Sequence, residues 1–452
     1  MAMLRLASPG HELPVGFLRE RKWVAAAAIL AVGVLPSKEI AFAAAVMLLV
    51  ALRPLSGAEV RGVLTRLWPI LLMLAIALFM TMVDVADQFD PRAIVRIFFY
   101  YIRIPVFLML GFATRKYVLR SSTLLWMLLL LGMYSAGMTV FTYLTTSGLS
   151  GLDRTTLRQM VGGGDPVAVF VPIVGRILWS KRPVGWQKAL ILVAVAMSLG
   201  SIVATDSRTG LVIVAISFML SLPRVRPLQW VRFAAVVILV GTFIVTTPLL
   251  PPILDILGID PSMLGGFNEV IARPRYDFGV INQEWRGHET YMAFLASEAD
   301  GVVPLILGHG LSITAALGIS IELAPGQFFS AIDIFHNGYS FIVLHSGLLG
   351  VLLYWAQMWI FARPQAALRP PETHGGARVS EEDLLFVLVL LSLSASTATI
   401  AGMFNASTFA QLHLFLIGCF YPLRRVVVAP LPQSRGSPSV SRPMRPRPLP
   451  QP

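Results

Sequence analysis

A histidine and an asparagine stand side by side, His336-Asn337, where a semi-polar stretch of the chain gives way to a long apolar run. A neutral imidazole can take a proton from a hydroxyl group near pH 7. A histidine at this place could also cap the start of a helix or hydrogen-bond a carbonyl group. The pair therefore indicates either a general base or a helix start.

Two arginines accompany this pair in segments that flank apolar runs. Arg208 lies in the short connection TDSRTG, and Arg286 lies in a longer polar stretch. A guanidinium group carries a fixed positive charge and binds phosphate oxygens through a planar fork. Structural roles stay open for both, because Arg208 could snorkel or pair with Asp206, and Arg286 could pair with Glu289 on its own helix.

Together, the arginines and the histidine indicate a site for a charged donor and a hydroxyl acceptor. The arginines would bind a pyrophosphate and offset its charge as it leaves. His336 would remove the proton of the acceptor hydroxyl. No acidic cluster of the kind that holds Mg²⁺ stands beside these residues in the sequence, so we expect a site without metal or cofactor.

Membrane helices are the elements that must position these residues. Hydrophobic residues make up 56% of the 452 residues and charged residues only 13%. Apolar runs recur along the chain, so we predict an all-α polytopic integral membrane protein of about twelve transmembrane helices. A transmembrane β-barrel would show short alternating segments instead. The predicted spans are 23–35, 40–52, 63–83, 96–113, 122–146, 166–180, 186–204, 209–222, 228–247, 336–362, 382–402 and 405–422.

Basic residues orient these spans. They cluster in alternate short loops, which we place in the cytoplasm together with both termini. The first two spans are interpreted as an uncleaved hairpin broken at 36–39 rather than as a secretory signal. The predicted regions are a cytoplasmic N-terminus (1–22), helices 1–9 (23–247), a long external loop (248–335), helices 10–12 (336–422) and a disordered cytoplasmic tail (423–452).

The external loop between helices 9 and 10 is too long for a passive connection, and long ordered loops commonly carry function. Within it, the stretch 280–299 has helical periodicity, with Trp285, Met292 and Leu295 on one face, and we expect this helix to lie along the membrane surface. Gly347 and Gly350 are spaced for close packing between helices.

Other classes of protein fit the sequence less well. The net charge of +12 is explained by basic cytoplasmic loops, so we expect no nucleic-acid partner. The single cysteine, Cys419, excludes an internal disulfide and a cysteine-based metal cluster. A transporter or flippase would place charges or broken helices at mid-membrane, whereas the charges here concentrate outside the apolar runs. A structural scaffold would not account for the polar motifs on the predicted outer side.

The motif formed by His336-Asn337, nine residues, Gly347, two residues and Gly350 resembles the histidine motif of bacterial O-antigen ligases. The SRTG stretch at 207–210 resembles the first arginine motif of that family. Arg286, followed by a turn with Gly308 and Gly310, resembles its loop pattern. The resemblance covers about residues 190 to 362. O-antigen and exopolysaccharide polymerases carry close variants of the histidine motif.

This resemblance implies a metal-independent, inverting glycosyltransferase of the bacterial inner membrane, with a periplasmic loop over its site. A ligase would move a glycan from undecaprenyl pyrophosphate to a sugar of the lipid A core in lipopolysaccharide biosynthesis. A polymerase of the same fold would pass the growing chain to another lipid-linked repeat unit. The implied partners are the undecaprenyl-pyrophosphate-linked glycan, a lipid or sugar acceptor, and the bilayer.

Residue roles carry over by position. Arg208 and Arg286 would bind the pyrophosphate, His336 would act as the base or orient the acceptor, and Asn337 would support it. Motif glycines with structural roles would be Gly210, Gly308, Gly310, Gly347 and Gly350. The segment 311–335 departs from the family pattern, because it is rich in Leu, Ile and Phe, and this leaves the acceptor open.

Overall fold

The computed structural model shows a mainly helical chain with one small sheet. It describes residues 27–35, 37–52, 55–83, 90–118, 122–147, 167–205, 208–220, 227–258, 271–272, 285–324, 327–332, 335–362, 381–400, 402–404 and 408–420. The predicted N-terminal segment 1–22 and tail 423–452 lie outside the described residues.

The helices of the first half of the chain are α1 (27–34), α2 (Lys38–Ala51), α3 (Gly57–Arg66), α4 (Trp68–Val83), α5 (Pro91–Val118), α6 (Thr123–Ser147), α7 (Val171–Ser180) and α8 (Gly185–Ala204).

The second half of the chain contains long helices with shorter elements between them. In chain order, its elements are α9 (Arg208–Leu220), α10 (Pro227–Thr246), α11 (Leu250–Leu257), α12 (Trp285–Ala299), α13 (Val302–Leu307), β1 (Ala315–Ala324), β2 (Gln327–Ile332), α14 (Gly338–Ala362), α15 (Glu381–Ile400) and α16 (Thr408–Phe420). Two 3₁₀ turns, Ala168–Phe170 and Gly402–Phe404, precede α7 and α16.

Each of the twelve predicted spans contains a described helix, which agrees with a helical membrane protein. Among the described residues, four helices are long and apolar enough to cross a membrane. They are Pro91–Arg115, Thr123–Thr145, Gly185–Ala204 and Gly338–Ala362. Two bent pairs raise the number to six if each pair is one span: α3 with α4, bent by 69°, and the end of α10 with α11, bent by 89°. Twelve crossings stay a prediction, since most of the remaining apolar helices are shorter than the roughly 20 residues that a span needs.

A β-hairpin inside the predicted external loop is the main feature that the all-α prediction missed. β1 pairs antiparallel with β2, with Ala315 opposite Ile332. The apolar residues Leu317, Ile319, Ile321 and Leu323 occupy every second position of β1, which is the period of a strand. The hairpin explains why the segment 311–335, which departs from the family pattern, is apolar.

Helices α5 and α16 pack backbone to backbone. A Cβ atom added to Gly111 of α5 would meet the carbonyl of Phe415 in α16. Nearer the start of α5, the buried Arg103 donates to the carbonyl of Met403 at 3.2 Å, just before α16. A Cβ atom added to Gly418 of α16 would in turn meet the carbonyl of Leu108 in α5, so the two glycines mark the closest approach of these helices. Arg103 is a buried charge inside the predicted span 96–113, so the expectation that charges concentrate outside the apolar runs is wrong at this position.

A turn of the predicted external loop packs into a break within α14. The backbone of Gly347 leaves the helical region there, with φ 67° and ψ −170°. A Cβ atom on Gly347 would meet the carbonyl of Ile306, and one on Gly308 would meet the backbone of His345. Gly350 faces Ile342 and Ser346 of its own helix. The close partner of Gly347 is therefore the end of α13, a short helix of the predicted external loop.

Hydrogen bonds complete this joint between the turn and α14. The backbone N–H of His309 donates to the carbonyl of Leu344 at 2.8 Å. The Nδ1 atom of the buried His345 lies 2.7 Å from the carbonyl oxygen of Gly310. The next residue, Leu311, donates its N–H to the hydroxyl of Thr81 in α4 at 2.7 Å. The irregular backbone of the turn thus finds partners on both helices, as buried backbone must.

We expect Gly347→Ala to lower the free energy of unfolding by about 1–3 kcal/mol, because the methyl group meets backbone and the positive φ disfavours L side chains. The measurement is the midpoint of thermal unfolding in detergent. Gly241→Ala in α10 is the matched control, since its added Cβ has nothing within 4 Å. Equal midpoints for the two variants would contradict this account of the break.

Candidate active site

Helix α12 lies within the predicted external loop and packs along α14. The helix predicted over 280–299 is thus present as Trp285–Ala299, and Leu295 of its apolar face is exposed. That this face lies along the membrane stays a prediction, whereas small and polar residues are buried against the protein. They are Gly287, His288, Glu289, Thr290, Ala293 and Ser297. Small residues allow close approach of two helices, and Glu289 and Thr290 find partners at the start of α14.

A carboxylate–imidazole pair stands at this contact. The side chain of Glu289 is fully buried, whereas that of His336 is 54% exposed. One oxygen of Glu289, Oε1, accepts the backbone N–H of His336 at 2.7 Å. The other, Oε2, lies 3.1 Å from the Nδ1 atom of the same histidine. Glu289 thus holds both the backbone and the ring of His336.

This geometry selects one tautomer of the His336 ring. An ionised carboxylate only accepts hydrogen bonds, so the Nδ1 atom facing Glu289 carries the hydrogen. The lone pair then remains on Nε2, where it can take a proton from a bound hydroxyl group. A proton on Nε2 would create an imidazolium next to Glu289, and the buried negative charge would stabilise it. The pair has the geometry of an oriented general base.

Asn337 ties three helices together directly beside this pair. Its Nδ2 group donates to the hydroxyl of Thr290 in α12 at 3.0 Å and to the carbonyl of Thr246 in α10 at 3.3 Å. Its Oδ1 atom accepts the backbone N–H of Tyr339 at 2.9 Å, as the side chain of a helix N-cap does. Asn337 therefore fixes the first turn of α14, and with it the backbone that carries His336.

Arg286 lies three residues before Glu289 on α12, in a partly buried position. The hydroxyl of Thr290 donates to the carbonyl of Arg286 at 2.8 Å, which places Arg286 at the same end of α12 as the pair. Both oxygens of Glu289 contact His336, so Glu289 has a partner other than Arg286.

Arg208 is the first residue of α9, and the buried Gly210 follows in the same turn. The side chain of Arg208 lies outside what the structure describes. Its predicted contact with a pyrophosphate therefore stays a prediction. The structure brings His336 and Asn337 together with Glu289 and Thr290 of α12, one turn along that helix from Arg286, while Gly308, Gly310 and Gly347 form the joint further along α14.

Sequence reasoning missed the roles of Glu289 and His288. The Nε2 atom of the buried His288 lies 3.0 Å from the carbonyl oxygen of Leu317, which joins α12 to β1. Burial lowers the pKa of His288, while the Leu317 carbonyl and Glu289 act in the opposite direction. The available signal was the run Gly287 to Thr290, a stretch of small and polar residues that is buried all around the first turns of α12.

Comparisons with protein-family models, with curated proteins and with solved structures return no match. A functional assignment therefore depends on the residues and their geometry. Among the described residues, no group of three or more His, Cys, Asp or Glu side chains is arranged to hold a metal ion.

Asn337→Ala should lower the free energy of unfolding by about 1–3 kcal/mol, because it removes a helix cap and two buried donors. We expect a smaller loss for Ser340→Ala, which removes only one hydroxyl bonded to Thr290. Thermal unfolding in detergent measures both. An Asn337→Ala protein as stable as the wild type would show that Asn337 does not hold α14 in place.

Proposed function

We propose that this protein is an O-antigen ligase-like glycosyltransferase that moves a glycan from undecaprenyl pyrophosphate to an acceptor sugar hydroxyl. The reaction would take place at the periplasmic face of the bacterial inner membrane, without a metal ion and with inversion at the anomeric carbon. The observation that carries this proposal is the buried Glu289 carboxylate, which orients the half-exposed His336 at the start of α14.

The proposed step is a single displacement. The acceptor oxygen attacks the anomeric carbon while His336 Nε2 takes the hydroxyl proton. The bond between the anomeric carbon and the pyrophosphate oxygen breaks, and its electron pair stays on that oxygen. Undecaprenyl pyrophosphate leaves, and the new glycosidic bond lies on the opposite face of the sugar. The proton remains on an imidazolium that Glu289 stabilises.

The arginines would stabilise the leaving pyrophosphate. Arg286 lies at the end of α12 that carries Glu289, and Arg208 would approach from the start of α9. Because guanidinium groups stay charged at any physiological pH, they can offset the charge that develops on the leaving group. A lysine or a metal ion is not needed in this scheme.

The same chemistry would serve a polymerase, since ligase and polymerase share the donor and differ in the acceptor. We favour the lipid A core as acceptor because the histidine motif resembles that of the ligases. The experiment must therefore identify the acceptor in addition to testing the transfer reaction.

In a strain without the gene, the wild-type gene should restore the surface polysaccharide and His336→Ala should not, although the variant is present in the membrane.

We expect Glu289→Gln to lower the transfer rate by about 10–100-fold, because the ring of His336 keeps a hydrogen-bond partner but loses the neighbouring negative charge. Glu298→Gln is the matched control, since Glu298 is an exposed glutamate on the same helix and its replacement should leave transfer unchanged.

The profile of the deletion strain identifies the acceptor. Lipid A core without glycan, together with full-length glycan on its undecaprenyl carrier, is the result expected for a ligase. A single repeat unit on the normal acceptor would contradict the ligase and identify a polymerase. An unchanged profile, or full transfer by His336→Ala, would contradict glycan transfer by this site.

A further inference from the structure

Helix α11 runs at 89° to the last part of α10, Val237–Thr246. Pro248 stands at the bend, and Pro251 and Pro252 occupy the first turn of α11, where the missing N–H groups cost no helical hydrogen bond. Gly258 ends the helix in the left-handed region, with φ 64°. If α10 crosses the membrane, α11 lies in the plane of the membrane.

One side of α11 packs on the protein. Leu250 and Leu254 are buried and form a small apolar cluster with Ile271, against which Ile244 and Val245 of α10 pack. This cluster fixes the rotation of α11 about its own axis. It therefore determines which residues the helix presents to its surroundings.

The adjacent side of α11 is apolar and exposed. Ile256 is 84% exposed and Leu257 is 62% exposed, and Leu249 and Ile253 lie on the same side. The exposed Asp255 points roughly 145° away from the centre of these four residues, by the rotation of 100° per residue in a helix. The helix thus separates a charged side from an apolar side, as helices at the membrane–water boundary do.

We propose that α11 is an interfacial anchor whose apolar face, formed by Leu249, Ile253, Ile256 and Leu257, lies in the outer leaflet of the phospholipid bilayer. Asp255 then faces the water. The partner is the lipid surface, because the helix continues directly from a helix of the membrane domain and lies perpendicular to it. A second copy of the chain is the alternative that the experiment must exclude.

This anchor sets the depth of the candidate active site. The carbonyl of Thr246, the last residue of α10 before the bend, accepts the Nδ2 group of Asn337 at 3.3 Å. The start of α14 is thereby held at the level where α10 ends and α11 begins. The inference does not require glycan transfer, since it concerns only the position of α11 relative to lipid.

Cysteine labelling tests the anchor with two neighbouring residues. The one native cysteine, Cys419, is buried, so Cys419→Ala gives a background without thiols. Ile256→Cys and Asp255→Cys are placed in this background, and the full-length protein is reconstituted in vesicles of phosphatidylethanolamine and phosphatidylglycerol. A charged, membrane-impermeant maleimide then reports access from water, normalised to the protein unfolded in SDS.

We expect Ile256→Cys to react at least about tenfold more slowly than Asp255→Cys, because lipid covers one residue and water the other. Equal rates would overturn the proposal, since both residues are exposed on the protein itself. Leu257→Cys repeats the test on the same face if Ile256→Cys does not fold.

A spin label at the same positions distinguishes lipid from a second copy. Lipid contact predicts that the Ile256→Cys label collides with oxygen more than with a water-soluble nickel complex, at every ratio of protein to lipid. A disulfide-linked dimer, or spin–spin broadening that disappears on dilution with lipid, would show that another copy covers this face and would overturn the proposal. Transfer activity of the same variants is measured separately, so failure of the anchor and failure of the proposed function give different results.

Discussion

The start of α14 depends on one buried carboxylate. Glu289 is removed from water and compensated by two groups of a single residue, the backbone N–H and the ring of His336. A buried charge is tolerated only when it is paired and hydrogen-bonded. The pairing therefore fixes α12 against α14, and it does so at the residue whose ring is best placed for proton transfer. The same contact therefore packs α12 on α14 and orients the ring of His336.

A second joint, further along α14, keeps this contact in register. The break at Gly347 receives the turn of Gly308 to Gly310, and Ser346 beside the break hydrogen-bonds the hydroxyl of Tyr101 in α5 at 2.9 Å. The segment from α12 to the turn is thus attached to α14 at both of its ends. Because this loop is attached at both ends, its movement relative to α14 is restricted. The positions of the candidate site residues on α12 and α14 are restricted with it.

Composition and periodicity predicted the helical membrane class, and each predicted span overlaps a described helix, because these features depend on short-range patterns. They did not predict the bends at α3–α4 and α10–α11, which depend on tertiary packing around single residues. The histidine motif identified His336 and Asn337, but not Glu289, which lies 47 residues away in sequence and becomes a partner only through folding. The hairpin at 315–332 was not predicted although Leu317, Ile319 and Ile321 alternate, because a short apolar run does not by itself distinguish a strand from a buried helix.

The most direct test of the proposed chemistry is glycan transfer by the purified protein in phospholipid vesicles. The donor is undecaprenyl-pyrophosphate-linked glycan, the acceptor is lipid A core, and the reaction is run with and without EDTA. Our account predicts one undecaprenyl pyrophosphate released for each glycan transferred by the wild type, and no product with His336→Ala. Equal turnover by that variant, or loss of wild-type transfer when EDTA is added, would contradict an oriented histidine base that works without a metal ion.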